Sequence, residues 1–144
     1  MAPQNIPEEE WQEVVDICYD IEDALEQDDD RLYAEYLFDL NCQLDKLQQK
    51  HGELALLTAT RADYCEDPEQ QVALYQQAVT LAELQGDTVA RIQSLEAICE
   101  LFIDEFDDAD AARVWLDKLE KAIAEDGSEW LAGDLEQLKA NITG

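Results

Sequence analysis

The sequence predicts an all-α fold of about seven helices stacked as αα-hairpins, in a single domain that covers residues 1–144 and contains no sheet. Three observations support this prediction. Apolar residues recur at intervals of three and four along most of the chain, which is the helical period. No stretch sustains the period-two alternation of a half-buried strand. The chain has only five Gly and three Pro, and several of them lie between successive helical patterns.

Each of the first four predicted helices has its own apolar stripe. A helix over about 8–28 has the stripe Val14, Cys18, Ile21 and Leu25. The second, about 30–50, has Tyr33, Tyr36, Leu37, Leu40, Leu44 and Leu47. A shorter helix over about 53–66 has Leu54, Leu57, Tyr64 and Cys65. The fourth, about 68–85, has Val72, Tyr75, Ala78, Val79 and Ala82.

Three further helices are predicted in the second half of the chain. The fifth, about 87–106, has the stripe Ile92, Leu95, Ile98, Cys99 and Phe102. The sixth, about 109–125, has Ala112, Trp115, Leu116, Leu119 and Ile123. The last, 128–142, has Leu131, Leu135, Leu138 and Ile142, and Ser128 is its predicted N-cap.

Charge is the most unusual property of the composition. The chain has 36 Asp and Glu against nine Lys and Arg, which gives a formal net charge of −27. Nucleic acids and anionic membranes bind proteins through positive surfaces, so we predict that the chain binds neither. The balance favours a basic protein partner, unless it serves solubility alone.

Several features predict a cytoplasmic protein. The N-terminal stretch MAPQNIPEEEW lacks the basic and apolar regions of a signal peptide, and no apolar run approaches the ~20 residues that span a bilayer. The cysteines form no CxxC pair and are spread unlike those of a secreted disulfide scaffold. They are Cys18, Cys42, Cys65 and Cys99. We predict that most of these thiols are buried in the core.

No group of residues has the spacing of a catalytic site. Ser-His-Asp and Cys-His catalysis need a placed histidine, and the only one, His51, lies where a helix C-terminus is predicted. Zinc needs several Cys or His at close spacing, and the chain has no Gly-rich phosphate loop. We therefore predict a non-enzymatic protein with no catalytic residue, no cofactor and no metal site.

Two acidic stretches, QDDDR and DEFDDADAAR, are dense in the oxygen ligands that calcium prefers. An EF-hand loop also needs a central Gly and a bidentate Glu at its end, and neither stretch contains a Gly. Both are typical of helix boundaries, where acids cap free N–H groups and meet the positive end of the helix dipole. Weak, nonspecific cation binding stays open for both.

Two arginines lie among small or apolar residues of the predicted inner helices. Arg61 occurs in TATRADY and Arg91 in TVARIQS. We predict that their stems are covered at helix-packing edges and that their guanidinium groups pair with acids. The alternative is that they hold a ligand carboxylate.

The first predicted helix has an acidic face opposite its apolar stripe. At ~100° per residue, Glu9, Glu13, Asp16, Asp20 and Asp23 fall within one narrow sector. Like charges at these spacings destabilise a helix by a few tenths of a kcal/mol per pair, and no neighbouring Lys or Arg offsets them. A conflict of this kind between local stability and composition is typical of functional surfaces.

We predict that a basic protein partner binds two groups of carboxylates. The first group comprises the acidic face and the turn QDDDR, and the second marks the turn between the fifth and sixth helices. The candidate partner-binding residues are Glu13, Asp16, Asp20, Asp23, Asp28, Asp29, Asp30, Asp104, Glu105, Asp107 and Asp108. Rows of one charge steer a cationic partner and speed its association. Candidate aromatic anchors are Tyr19, Tyr33, Tyr36 and Trp130.

Residues 53–126 resemble tetratricopeptide-like repeats. Phe102, Ala111 and Trp115 match, in their spacing, the first-helix aromatic, the Ala and the second aromatic of that motif. Gly86 and Gly127 end two similar helices 41 residues apart, a period typical of stacked αα-hairpins. Lys118 stands where the motif has a small residue, and the turns are too long for its 34-residue unit. The resemblance implies a protein-binding scaffold.

The stretch LLTATRADYCEDPEQQVALYQQAVTLAELQGD is similar to helical-repeat immunity proteins encoded beside bacterial polymorphic or contact-delivered toxins. Proteins of that family are small, acidic and cytosolic, and each neutralises its cognate toxin domain by occluding the active site. The resemblance implies that the basic partner is a toxin domain.

Two other functions fit the same features. A repeat-type adaptor or chaperone would bind a peptide segment in a groove between helices, with Arg61 and Arg91 as its candidates for holding a carboxylate. A nucleic-acid mimic would present its carboxylates as a phosphate rail to a DNA-binding enzyme. The sequence leaves open the identity of the partner, the place where it binds and the oligomeric state.

Overall fold

The computed structural model describes residues 5–126 and 132–143. Within these residues the chain forms seven helices and no strand, in agreement with the predicted all-α class. The helices are α1 (Glu8–Glu26), α2 (Asp30–His51), α3 (Ala55–Asp63), α4 (Pro68–Gln85), α5 (Thr88–Asp104), α6 (Ala109–Asp126) and α7 (Ala132–Thr143). None of the described helices combines the length and apolar character needed to cross a membrane. Four residues named above lie outside the described part of the chain: Gly127, Ser128, Trp130 and Leu131.

Two helices end earlier than their sequence patterns predict, each just before an Asp with positive φ. α1 ends at Glu26 instead of 28, and Asp28 has φ 53°. α5 ends at Asp104 instead of 106, and Asp107 has φ 48°. A left-handed residue cannot continue a right-handed helix, so neither helix can extend through these two residues.

α3 is also shorter than predicted, covering Ala55–Asp63 instead of 53–66. Tyr64 leaves the helical conformation, and the side chain of Asp67 then caps the start of α4 by accepting from the N–H of Glu69. Pro68, the first residue of α4, has no N–H to donate and disfavours helical geometry in the residue before it. The break between α3 and α4 therefore follows from the residues of the turn.

Two clusters of buried side chains form most of the core, and α3 contributes to both. The first joins α1, α2 and α3 through Ile6, Val14, Ile21, Leu40, Leu44, Leu47 and Leu57. The second joins α3 to α7 through Ala62, Tyr75, Val79, Ile92, Leu95, Ile98, Cys99, Ala112, Leu116, Leu119, Ala122, Leu138 and Ile142. Most of these residues belong to the predicted apolar stripes.

Polar contacts tie the start of one helix to the end of the next at three places. The contacts are Glu10 Oε2 with His51 Nε2 (2.9 Å), Gln85 Oε1 with the N–H of Ala55 (3.1 Å) and Arg91 Nη1 with Glu125 Oε2 (2.7 Å). Each contact joins two helices that also pack against each other: α1 with α2, α3 with α4, and α5 with α6. The two helices of each pair therefore run antiparallel.

Candidate protein-binding surface

The acidic face of α1 lies in solvent and its apolar face in the core, as predicted. Val14 and Ile21 are fully buried. The carboxylates of the predicted row are all exposed: Glu9, Glu13, Asp16, Asp20 and Asp23. Within the row, Asp16 Oδ1 accepts a hydrogen bond from Gln12 Nε2 (2.9 Å). The row is thus an ordered line of negative charge on one side of a folded helix.

The few cations of the chain pair elsewhere. Six of the nine Lys and Arg form ion pairs with a described carboxylate: Arg31, Lys50, Arg61, Arg91, Arg113 and Lys139. Among the described residues, none of the eleven predicted partner-binding carboxylates lies within ion-pairing distance of a Lys, Arg or His. Their negative charge is therefore not neutralised locally.

The turn between α1 and α2 continues the acidic surface. Asp28 and Asp30 are exposed, whereas Asp29 is half-buried and caps α2. Its Oδ1 accepts from the N–H of Leu32 at 3.1 Å, which satisfies one of the free donors at the helix start. Asp29 therefore stabilises the fold, and Asp28 and Asp30 are the residues of this turn that present their charge to solvent.

The second predicted group lies in the turn between α5 and α6. All four residues are exposed: Asp104, Glu105, Asp107 and Asp108. Asp108 caps the start of α6, because its Oδ1 accepts from the N–H of Ala111 at 3.0 Å. Phe102 beside this turn packs on the second core cluster, whereas the α1 row borders the first. The two acidic groups thus belong to helices of different core clusters.

One residue of the predicted apolar stripe of α1 is not in the core. Leu25 is 54% exposed, and the neighbouring Ala24 is buried instead. Leu25 lies in the last turn of α1, where it borders an open groove against α2 and no other described helix lines that side. The prediction of a core position for Leu25 was therefore wrong.

The groove has a volume of about 640 Å³ and is mainly apolar. It is lined by Leu25, Asp30, Tyr33, Ala34, Leu37, Phe38, Asn41 and Glu66. Phe38 is 68% exposed and was not among the predicted site residues. At ~100° per residue it falls about 160° from Leu40 on α2, outside the core stripe. A large aromatic residue off the core face was the signal in the sequence that could have indicated this surface.

The charged residues that line the groove, Asp30 and Glu66, are both acidic. Tyr33 hydrogen-bonds to Glu66 and so links α2 to the turn before α4. Desolvation, and next the nearby Glu66 carboxylate, raise the pKa of Tyr33. The phenol of Tyr33 therefore stays neutral at physiological pH and adds no charge to the groove.

The predicted aromatic anchors differ in their exposure. Tyr33 lines the groove, and Tyr19 is 63% exposed on α1. Tyr36 is half-buried and packs against the first core cluster. Tyr33 is also half-buried and packs against the same cluster. Of these three residues, Tyr19 is thus the most accessible from solvent, and Tyr33 differs from Tyr36 in lining the groove.

The predicted pairing of the two inner arginines with acids is confirmed. Arg61 Nη2 lies 2.6 Å from Asp45 Oδ1 and joins α3 to α2. Arg91 joins three helices, because Nη1 lies 2.7 Å from Glu125 Oε2 and Nε lies 3.8 Å from Glu83 Oε1. Both arginines are thus engaged in contacts between helices.

His51 is the last residue of α2, as its predicted place at a helix end requires. It and Lys50 both contact the carboxylate of Glu10 near the start of α1. Hydrogen bonds from Lys50, and then from His51, hold the pKa of Glu10 below its usual value. These contacts join the start of α1 to the end of α2.

Several titratable groups lie where α1, α3 and α4 meet. Tyr75 donates a hydrogen bond to Asp63, and Tyr64 hydrogen-bonds to Cys18. Desolvation is the largest cause that raises the pKa of Asp63, although this residue retains exposed surface. Burial likewise raises the pKa of Cys18 and of Tyr64. Because the thiolate is the reactive form of cysteine, Cys18 is a poor nucleophile here.

The four cysteines are free thiols that differ in burial. Cys99 is fully buried, and desolvation raises its pKa to about 12. Cys18 and Cys65 are half-buried, and Cys42 is exposed on α2. The prediction that most of the thiols are buried is thus correct in full for Cys99 and wrong for Cys42. Cys42 is two residues from each of the core residues Leu40 and Leu44, which at ~100° per residue places it about 160° from both, on the solvent side of α2.

Comparisons of the chain with protein-family models, with curated proteins and with solved structures found no match. Within the part of the chain that the structure describes, no group of three or more Cys, His, Asp or Glu is arranged to hold a metal ion. The surface has three features that bear on function: the acidic row on α1, the acidic turn between α1 and α2, and the apolar groove beside that turn.

Proposed function

We propose that this chain is a non-enzymatic acidic binding protein that neutralises a basic protein partner. The observation that carries the proposal is the carboxylate row on α1, which continues into Asp28 and Asp30 and has no paired cation among the described residues. An extended face of one charge attracts a cationic partner and raises its association rate. Since the row opposes helix stability, binding explains its presence better than folding does.

The residues at the two acidic turns support the same proposal. Asp28 and Asp107 have positive φ, a conformation in which glycine avoids the clash of a Cβ atom. Asp tolerates this conformation better than most residues do, but glycine is the usual structural choice. In both acidic groups, a position that suits glycine carries a negative charge instead.

The most concrete form of the proposal is an immunity protein that occludes the active site of a cognate bacterial toxin in the cytoplasm. The acidic composition and the resemblance over residues 56–87 support this form. Toxins that act on nucleic acids or nucleotides often have positive clefts, which carboxylates can fill in place of phosphate. The antiparallel pairing of α1 with α2, α3 with α4 and α5 with α6 supports a tetratricopeptide-like stack of αα-hairpins as the scaffold.

Nucleic-acid mimicry is the second candidate, because the same exposed row favours it. The two differ in the target, and duplex DNA that competes for the partner would indicate mimicry. The adaptor function has less support, because Arg61 and Arg91 are already paired with acids of neighbouring helices.

The test is co-expression with the product of the adjacent open reading frame, followed by size-exclusion chromatography at low and high salt. A variant without the charge of the row carries Glu13→Gln, Asp16→Asn, Asp20→Asn and Asp23→Asn. A control with the same charge change at exposed carboxylates outside both groups carries Glu53→Gln, Glu69→Gln, Asp117→Asn and Asp126→Asn.

We expect the row variant to associate at least about tenfold more slowly than wild type at low salt, and the control to change much less. The difference between the two variants should largely disappear at high salt, because exposed charges are then screened. The absence of any complex at low salt would contradict the proposal, and so would an equal loss in both variants.

A further inference from the structure

We infer that the groove between the last turn of α1 and α2 receives an amphipathic helix of the basic partner, whose apolar side chains pack on Leu25 and Phe38. This inference rests on the proposed function and deepens it, because it names the centre of the contact and the shape of the partner's binding segment. The acidic row and the turn then act around this centre, by steering the partner and contacting its Lys and Arg.

The exposed apolar side chains are the first argument. Leu25 and Phe38 are 54% and 68% exposed and line the same groove. Exposed apolar patches with polar rims mark interaction sites, and binding energy concentrates in aromatic and aliphatic anchors that become fully desolvated. Other exposed apolar residues, such as Leu84 on α4, do not line this groove.

The shape of the groove is the second argument. Along α2 it extends from Asp30 to Asn41, which at ~1.5 Å per residue makes it about 16 Å long, or three helical turns. Ala34 lies between these ends, and its small side chain leaves room in the middle of the groove. A helix of three turns presents apolar side chains at i, i+3, i+4 and i+7 along one line, which fits this length.

The charge of the groove identifies its occupant. Asp30 and Glu66 belong to the lining, and none of the described residues that line the groove is Lys, Arg or His. The neighbouring cation, Arg31, pairs with Glu35 at 3.3 Å. A second copy of this chain would bring another net charge of −27 and the same acidic rim into the contact, so like charges would oppose it. A helix with Lys or Arg on both sides of its apolar stripe is complementary instead.

The experiment uses two synthetic peptides of about 18 residues, each labelled with a fluorophore and identical in composition. In the first, Leu residues follow the i, i+3, i+4, i+7 spacing of one helix face and Lys residues fill the rest. In the second, the same residues are scrambled so that no apolar face forms. Binding to the full chain is measured by fluorescence anisotropy at about 0.15 M salt.

We expect the amphipathic peptide to bind wild type about tenfold more tightly than the scrambled peptide, as the desolvation of two anchors predicts. The double variant Leu25→Ala/Phe38→Ala should abolish that difference, and Phe38→Ala alone should reduce it. Leu84→Ala, at an exposed position away from the groove, should leave it intact. All substitutions are at exposed positions, and thermal unfolding by circular dichroism checks that each variant is folded.

The outcomes separate the inference from the proposed function. Equal, salt-dependent binding of both peptides with no effect of the groove variants would overturn the inference and leave the basic partner in place. An NMR titration of the chain with the amphipathic peptide locates the contact. Changes in backbone amide chemical shift centred on the α5–α6 turn, instead of on Ala34 and Leu37, would also overturn the inference. Dimers of the chain that Phe38→Ala disrupts would replace the partner helix with a second copy. Failure of both peptides to bind at low salt would overturn the inference and the proposed function together.

Discussion

Neutralising the carboxylate row of α1 is expected to stabilise the protein while it weakens partner binding. The row contains four like-charge pairs at i,i+3 or i,i+4: Glu9–Glu13, Glu13–Asp16, Asp16–Asp20 and Asp20–Asp23. Each pair destabilises a helix by ~0.2–0.5 kcal/mol. Asp23 also lies in the last turn of α1, where its repulsion from the negative end of the helix dipole destabilises the helix by a further ~0.3–1 kcal/mol. Together these effects predict a gain of about 1–3 kcal/mol in the free energy of unfolding.

The measurement is urea unfolding of wild type and of the variant Glu13→Gln, Asp16→Asn, Asp20→Asn, Asp23→Asn, followed by circular dichroism. At about 0.05 M salt the midpoint should rise with an unchanged m value, which reports a change in stability alone. At about 1 M salt the Debye length falls to ~3 Å, so most of the gain should disappear. The control variant Glu53→Gln, Glu69→Gln, Asp117→Asn, Asp126→Asn should gain less free energy of unfolding, because these four carboxylates do not form a row of like charges on one helix.

Two results would refute this reasoning. A variant less stable than wild type would show that the row makes stabilising contacts, and the fold itself would then account for the carboxylates. A gain that persists in full at 1 M salt would show that side-chain packing, and not repulsion, changed. In either case the row would no longer indicate that charge is retained for binding.

Three further substitutions test the local interpretation of the structure. Glu10→Gln should lower the melting temperature at pH 7, because a carboxylate with a lowered pKa contributes stability above its unfolded value of 4.5 and loses it as pH falls through the lower folded pKa. The difference should therefore shrink as pH falls below 4.5, and a difference that stays constant to the lowest pH at which the protein remains folded would contradict this. Asp63→Asn should have the opposite effect. Since desolvation raises the pKa of Asp63, the charge of this carboxylate opposes stability at pH 7. In urea unfolding the variant should therefore be at least as stable as wild type at pH 7, and it should lose this advantage in acid. A less stable Asn variant at pH 7 would show that the carboxylate is needed for the hydrogen bond from Tyr75. Asp28→Gly should raise the free energy of unfolding by up to about 1 kcal/mol and Asp28→Ala should lower it, because the residue has positive φ; equal effects of the two would argue against strain at this turn.

The helices and most of the core could be predicted because both follow from periodicity. Val14 and Ile21 repeat with the helical period and are buried, and the acidic sector opposite them is exposed. The groove could not be predicted in the same way. Periodicity identifies the apolar side of a helix, but whether a neighbour covers that side depends on where the helices end. Leu25 has the phase of a core residue and is nevertheless exposed, because the hairpin turns two residues later.

The roles of individual acids in the turns were also beyond the sequence. QDDDR contains three consecutive Asp that look equivalent in composition, yet Asp29 caps α2, Asp28 has positive φ, and Asp30 lines the groove. Which of them caps depends on the residue at which the helix begins, and a shift by one residue would exchange their roles. The same holds for Asp107 and Asp108 before α6. The sequence therefore predicts an acidic turn but not which carboxylate is available to a partner.

The distribution of charge argues against solubility as a sufficient reason for the acidic composition. Residues 8–30 hold twelve of the 36 Asp and Glu and no Lys or Arg, although alternating charges would solvate a surface equally well. Several of the chain's cations instead join neighbouring helices, as Lys50, Arg61 and Arg91 do. The same hairpin leaves Phe38 and Leu25 in solvent, which a protein selected only for solubility would avoid. The proposed binding surface therefore has two components: uncompensated charge that would steer a partner and exposed apolar side chains that would hold it. Asp30, which lines the groove, lies where the two meet.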